Sequence, residues 1–153
     1  MTQVIHCCKE YYRRHVFLPA HALLKGGMSP ITTLRIMLVE DHLSFREALA
    51  FLLTHKPDIE VVAQAGSLAE AREALVDRHL DVAMVDLGLP DGDGRDLIGE
   101  LRRTNAGISV VVLSASIEPG HLDDVRRAGA DAVLHKVESP SIIAAEVRRI
   151  AGG

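Results

Sequence analysis

Two patterns of apolar residues alternate along residues 34 to 153. The runs Leu34 to Val39, Ile59 to Ala63, Val82 to Val85, Ser109 to Leu113 and Ala132 to Leu134 are rich in Val, Ile, Leu and Ala and do not alternate strictly with polar residues. Such runs predict short strands covered on both faces. Between them, apolar positions recur at helical spacing. Ser44 to His55 puts Phe45, Leu49, Leu52 and Leu53 on one face, with Pro57 closing the segment. Ser67-Leu68-Ala69-Glu70 reads as a capping box ahead of Ala71, Ala74 and Leu75. A third helix follows Gly94 with Leu97, Ile98 and Leu101, and a fourth spans about His121 to Ala128 with Gly129 as its C-cap. The last begins at Ser139-Pro140, runs through Ile143, Val147 and Ile150, and stops at Gly152. Five strands alternating with five helices predict an α/β domain built on a doubly wound five-stranded parallel sheet.

The 153 residues are enough for one domain with a real core. A hydrophobic fraction of 48% and a charged fraction of 25% exclude disordered, collagen-like and disulfide-framework classes. The net charge is −4, yet residues 1 to 33 carry Lys9, Arg13, Arg14 and Lys25 against Glu10, so the remainder is more acidic than the whole. An acidic domain lacks the basic footprint that phosphate-backbone binding needs, and direct nucleic-acid binding is not expected. Cys7 and Cys8 are adjacent, which disfavours a mutual disulfide and does not match zinc spacing, so His6, Cys7, Cys8 and His15 are not read as a metal site. No stretch near the N-terminus approaches the roughly 20 apolar residues of a membrane span. A cytoplasmic protein is expected, with residues 1 to 33 as a flexible extension and Met28 as an alternative start.

In doubly wound folds ligands bind beyond the C-terminal ends of the strands. The first predicted strand ends in Glu40-Asp41, the third in Asp86, the fourth in Ser114 and the fifth in Lys136. Three carboxylates, a hydroxyl and an ammonium thus meet on one rim. Hard oxygen ligands of this kind suit Mg²⁺, which takes one or two protein carboxylates and welcomes phosphate oxygens. A carboxylate can itself be the nucleophile toward a phosphoryl group, and the transfer needs positioning and charge neutralisation more than covalent machinery. Taken singly, each residue has a plainer role: Asp86 as a turn residue, Asp41 as a helix cap, Asp91 and Asp93 as turn residues of Pro90-Asp91-Gly92-Asp93-Gly94. The coincidence on one rim favours the chemical reading. Lys136 is a lysine in a chain that otherwise prefers arginine, as suits a mobile point charge for a transient phosphate.

The set LRIMLVEDH, VDLGLPDGDG, VVVLSAS and AGADAVLHK resembles the receiver domain of two-component response regulators over residues 34 to 153, and DHLSFREAL, PDIEVVAQAGS and LHK resemble its FixJ/NarL branch. The resemblance implies a flavodoxin-like receiver fold. It also implies that Asp86 accepts phosphate from a sensor histidine kinase or phosphotransfer protein, with Mg²⁺ held by Glu40, Asp41, Asp86 and the backbone carbonyl of Gly88. Ser114 and Lys136 would bind the phosphoryl group. Such a domain is a self-catalysed phosphoacceptor with autodephosphorylation, not an enzyme on other substrates. A homodimer through the face from the fourth to the fifth helix is the self-association it implies.

Two positions depart from the family pattern. Val133 stands where a switching Tyr or Phe is common, and Val137 where a cis-linked proline is common. A cis bond before a non-proline residue costs roughly 3 kcal/mol, so that bond's geometry is left open.

Branch members usually carry a C-terminal helix-turn-helix domain, whereas this chain ends at Gly153. A receiver fragment of such a regulator and a phosphate-independent docking domain are therefore the alternatives. A dehalogenase-type phosphatase would want an aspartate where Gly88 stands, and a nucleotide-binding protein would want a glycine-rich loop where Glu40-Asp41-His42 stands.

Overall fold

The computed structural model describes residues 32–76, 78–116 and 118–152. The expected extension, the alternative start at Met28 and the cluster His6, Cys7, Cys8, His15 lie outside the described residues, save positions 32 and 33 at the edge of the first strand.

The strands are β1 (Leu34–Val39), β2 (Ile59–Ala65), β3 (Val82–Asp86), β4 (Ser109–Ser114) and β5 (Ala132–His135). The helices are α1 (Leu43–Thr54), α2 (Leu68–Leu75), α3 (Gly94–Thr104), α4 (Pro119–Ala128) and α5 (Pro140–Ala151). All strand pairs in the sheet are parallel, in the order β2-β1-β3-β4-β5. The doubly wound five-stranded reading is therefore correct, with one addition: Gly88–Leu89 and Gly92–Asp93 form a small antiparallel ribbon after β3.

The period-2 pleat splits each central strand between two cores. Ile36, Leu38, Val82, Met84, Val111 and Leu113 pack with α1 and α5 residues such as Leu49, Leu53, Ile143 and Val147. Met37, Val39, Ala83, Val85, Val110 and Val112 pack with Leu68, Leu97, Ile98, Leu101 and Val125 from α2, α3 and α4. Both faces are covered, which explains why the central runs read as continuous apolar blocks. β2 is an edge strand, and its Glu60 and Gln64 are exposed. Gln64 is the polar residue that hid the last two positions of this strand from the sequence pattern.

The helix boundaries follow local chemistry. Ser67 accepts from the Glu70 amide, and Glu70 accepts from the Gly66 amide, one residue before the cap. α4 starts at Pro119, two residues before the expected His121, because proline is favoured in the first turn. Gly129 closes α4 at φ +110°, a left-handed position where a glycine is unstrained. α1 is capped by His42 without a side-chain bond, so Asp41 is not the cap considered for it. Arginine pairs occupy the last turns of α3, α4 and α5, Arg102-Arg103, Arg126-Arg127 and Arg148-Arg149, where cations complement the helix dipole. Arg102 also ties α3 to the turn before β5, donating to the Gly129 carbonyl and pairing with Asp131, and to the start of β4 by donating to the Ile108 carbonyl.

Candidate functional site

With β1 and β3 adjacent and their crossovers leaving in opposite directions, the strand order reverses between them, and a crevice opens beyond their C-terminal ends. Asp86 is the last residue of β3 and Glu40 follows β1 directly. Both are buried, 8% and 2% exposed, while Asp41 is exposed at the lip. One carboxylate oxygen from each of Glu40, Asp41 and Asp86 lies within 4.8 Å of the others.

Lys136, just past β5, reaches across. Its Nζ donates to Asp86 Oδ2 at 2.9 Å and contacts Glu40 Oε2 at 2.7 Å, and it sits 5.6 Å from the Phe45 ring centroid. The contact with Glu40 is an ion pair without hydrogen-bond alignment, so Oε2 is a buried carboxylate oxygen lacking an aligned donor. The other oxygen, Oε1, accepts from the His42 amide at 3.1 Å. Three carboxylates face one ammonium. Burial is the largest influence on Glu40 and pushes its carboxyl up, with Asp86 adding to the rise; the adjacent Lys136 ammonium and the hydrogen bond from the His42 amide oppose it. Burial pulls the Lys136 ammonium down, but Glu40 and Asp86 outweigh it and hold the ammonium above its ordinary value. A negatively charged oxygen cluster, with two of its three carboxylates buried and one acceptor unaligned, fits a hard divalent cation.

The remaining expected residues are placed as follows. The Gly88 amide donates to Asp86 Oδ1 at 3.3 Å, and Gly88 opens the small ribbon. Ser114 ends β4, is buried, and has its hydroxyl turned into the loop that follows, donating to the Ser116 carbonyl at 2.5 Å. Lys136 is fixed at its backbone by donation to the Ser114 carbonyl. There is no cis peptide among the described residues, so the Lys136–Val137 bond is trans. Val133 is half-buried against the core beneath α4. His135 Nδ1 accepts from the Val137 amide.

Three roles escaped sequence reasoning. Asp91 is a cap at long range: its carboxylate accepts from the Leu68 and Ala69 amides at 2.7 and 2.9 Å, tying the loop after β3 to the start of α2. Asp93 caps α3 and chelates Arg95. His121, in the first turn of α4, lies 3.4 Å from the Ser114 hydroxyl. Only Asp93 left a sequence signal, an Asp directly before a helix-starting Gly.

The fold and rim together define a class: α/β domains that gather buried carboxylates and one lysine beyond β1, β3 and β5. The model of the response regulator receiver domain matches residues 36–148, and the chain belongs to that family. It is 36% identical over 118 residues to the transcriptional regulatory protein UhpA of Salmonella typhimurium, covering 77% of this chain and 59% of that protein. It is 31% identical over 126 residues to the nitrate/nitrite response regulator protein NarP of Escherichia coli, covering 82% of this chain and 59% of that protein. The chain thus spans less than two thirds of these relatives. Among solved structures, the signal receiver domain of NarL from Mycobacterium tuberculosis aligns with a TM-score of 0.75 at 28% identity, covering 80% of this chain and 98% of that one. A LuxR-family two-component response regulator from Aurantimonas aligns at 0.74 and 26%, covering 80% and 87%. Among the described residues no helix is long and apolar enough to cross a membrane.

Proposed function

We propose that residues 34 to 153 form a phosphorylation-controlled switch in a two-component relay, with Asp86 as the phosphoacceptor. The observation that carries this reading is the convergence of Asp86, Glu40, Asp41 and Lys136 at one crevice. The Asp86 carboxylate attacks the phosphorus of a phosphohistidine on a sensor kinase or phosphotransfer protein. An oxygen–phosphorus bond forms, the phosphorus–nitrogen bond breaks, and the leaving imidazole takes up a proton. Lys136 stays beside the Asp86 carboxylate as counter-ion to the new phosphoryl oxygens. Ser114 supplies a hydroxyl to the same group, and the loop after β4 follows it. Glu40, Asp41, Asp86 and the Gly88 carbonyl would hold Mg²⁺, which when bound neutralises the incoming phosphoryl charge. The domain acts in the cytoplasm, turns over only its own phosphoryl group, and reports its state through the face from α4 to α5, by self-association or by docking to an output partner. It does not bind nucleic acid itself.

Intact mass after incubation with acetyl phosphate and Mg²⁺ tests the chemistry. One added phosphoryl group is expected on the wild type and none on Asp86→Asn or in EDTA. An equal adduct on Asp86→Asn overturns the assignment.

The metal half is tested separately. Mg²⁺ at ten times its dissociation constant adds about 1.4 kcal/mol to a protein that binds it only when folded, a rise of about 5 °C in melting temperature for a domain of this size. Asp41→Asn is expected to lose most of that rise; scanning calorimetry showing an undiminished shift would place the ion elsewhere.

A further inference from the structure

A hydroxyl offers one proton and two acceptor positions. At Ser114 all three are in use, two by the loop after β4 and one by the first turn of α4. The proton goes to the Ser116 carbonyl at 2.5 Å, the Ser116 amide donates to Oγ at 3.1 Å, and His121 Nε2 lies 3.4 Å away. Since the proton is committed to Ser116, the histidine contact is favourable only when Nε2 carries the hydrogen and donates it to Oγ. Nothing on Ser114 then remains for a group on Asp86.

His121 reaches this position for structural reasons. It is the third residue of α4 and lies one turn before Val125, which is fully buried in the core against which Val133 packs. It thus sits on the inward side of α4, above the strand that carries Val133. The Asp93 carboxyl is held low chiefly by the Arg95 guanidinium, with the His121 ring adding to the effect.

We propose that His121 is a positioning residue for Ser114: it holds the hydroxyl in the loop, turned from Asp86, and loses it when a phosphoryl group draws the hydroxyl inward. The inference rests on the reading of Asp86 and Ser114 given above. Phosphorylation is thereby coupled directly to the first turn of α4, the role an aromatic three residues before Lys136 would otherwise serve. A contact present in one state alone biases the equilibrium toward that state by its own free energy. For a long neutral hydrogen bond this amounts to a factor of about three to ten.

The test is beryllofluoride binding in the presence of Mg²⁺, followed by calorimetric titration and by the ¹⁵N signals of the histidine rings. His121→Ala is expected to bind the analogue about threefold to tenfold more tightly, and His121→Gln, whose amide can donate, to return toward wild type. In a Ser114→Ala background His121→Ala should change nothing, and the His121 ring signal should respond to the analogue only when Ser114 is present. Unchanged affinity in His121→Ala, or the same change with and without the Ser114 hydroxyl, overturns the proposal and leaves the Asp86 assignment standing. Failure of the wild type to bind the analogue, or equal binding by Asp86→Asn, overturns that assignment and this inference with it.

Discussion

Gly94→Ala is expected to destabilise the domain by about 3 kcal/mol, at the upper end for overpacking, and to lower its melting temperature by roughly 10 °C. A Cβ on Gly94 would stand 2.3 Å from the Asp86 carbonyl oxygen, 2.9 Å from the Leu87 Cα and 3.0 Å from the Val85 Cγ1. The first two are backbone atoms of Asp86, the last residue of β3, and of Leu87 directly after it, so no rotamer change relieves them. The Gly94 amide also donates to the Leu87 carbonyl at 3.0 Å, which clamps the start of α3 to the end of β3. Relief requires β3 and α3 to separate, moving the Asp86 carboxylate with them. Gly88→Ala is the internal control, because a Cβ there meets nothing within 4 Å; its change should stay within about 0.5 kcal/mol. Urea denaturation of both variants decides the matter. Equal stability would mean that β3 and α3 separate at little expense.

Lys136→Ala carries the second large effect, and its signature lies in pH and Mg²⁺. Lys136 is 23% exposed on its side chain and is the cation paired with both buried carboxylates. Removing one partner of a buried pair costs about 3–5 kcal/mol, and partial solvent access reduces this to about 2–3 kcal/mol. Glu40 sets the pH dependence. Its carboxyl is raised in the folded protein, chiefly by burial. Between the ordinary carboxylate value and the raised one, the folded state holds a proton that the unfolded chain has released, so stability falls as pH rises through that window and is level above it. Lys136 opposes the rise, and its loss moves the upper edge of the window higher. The gap between variant and wild type should therefore be wider on the alkaline side of that window than on the acid side. Mg²⁺ should close part of it at neutral pH. Urea titrations on both sides of the window, with and without Mg²⁺, measure this, and a gap independent of pH and Mg²⁺ would show that Lys136 acts through packing of its stem over Phe45.

The polar ends of the strands could be read in advance because each closes an apolar run with a residue that cannot continue the core. Glu40, Asp86 and Ser114 were placed at strand ends in this way and Lys136 just past one, and the sheet order then brings Lys136 against Glu40 and Asp86. The parts that could not be read depend on partners far along the chain. Asp91 serves a helix that begins 23 residues earlier, and in sequence it is only one more acid in a turn. Gly94 resembles any glycine beside a helix until the Asp86 carbonyl is seen against it. Ser114 was placed correctly, but the direction of a hydroxyl depends on its immediate neighbours, and His121 comes to it from an element whose position only the fold determines.

The arginine pairs that end α3, α4 and α5 have a consequence of a different kind. Helices in this fold run against the strands, so these guanidinium groups gather at the edge opposite the carboxylates. Four of these six are matched by carboxylates, Arg102 by Asp131, Arg127 by Asp124, Arg148 by Asp58 and Arg149 by Glu146, whereas three carboxylates face the Lys136 ammonium at the crevice, so the uncompensated charge is negative and lies on the crevice side. A charged protein approaching within about 8 Å, the screening distance at physiological salt, feels a torque before it makes contact, and arrives with its basic side toward the crevice. Orientation is selected during encounter and not after it, which makes the association rate, far more than the lifetime of the complex, the quantity that added salt reduces.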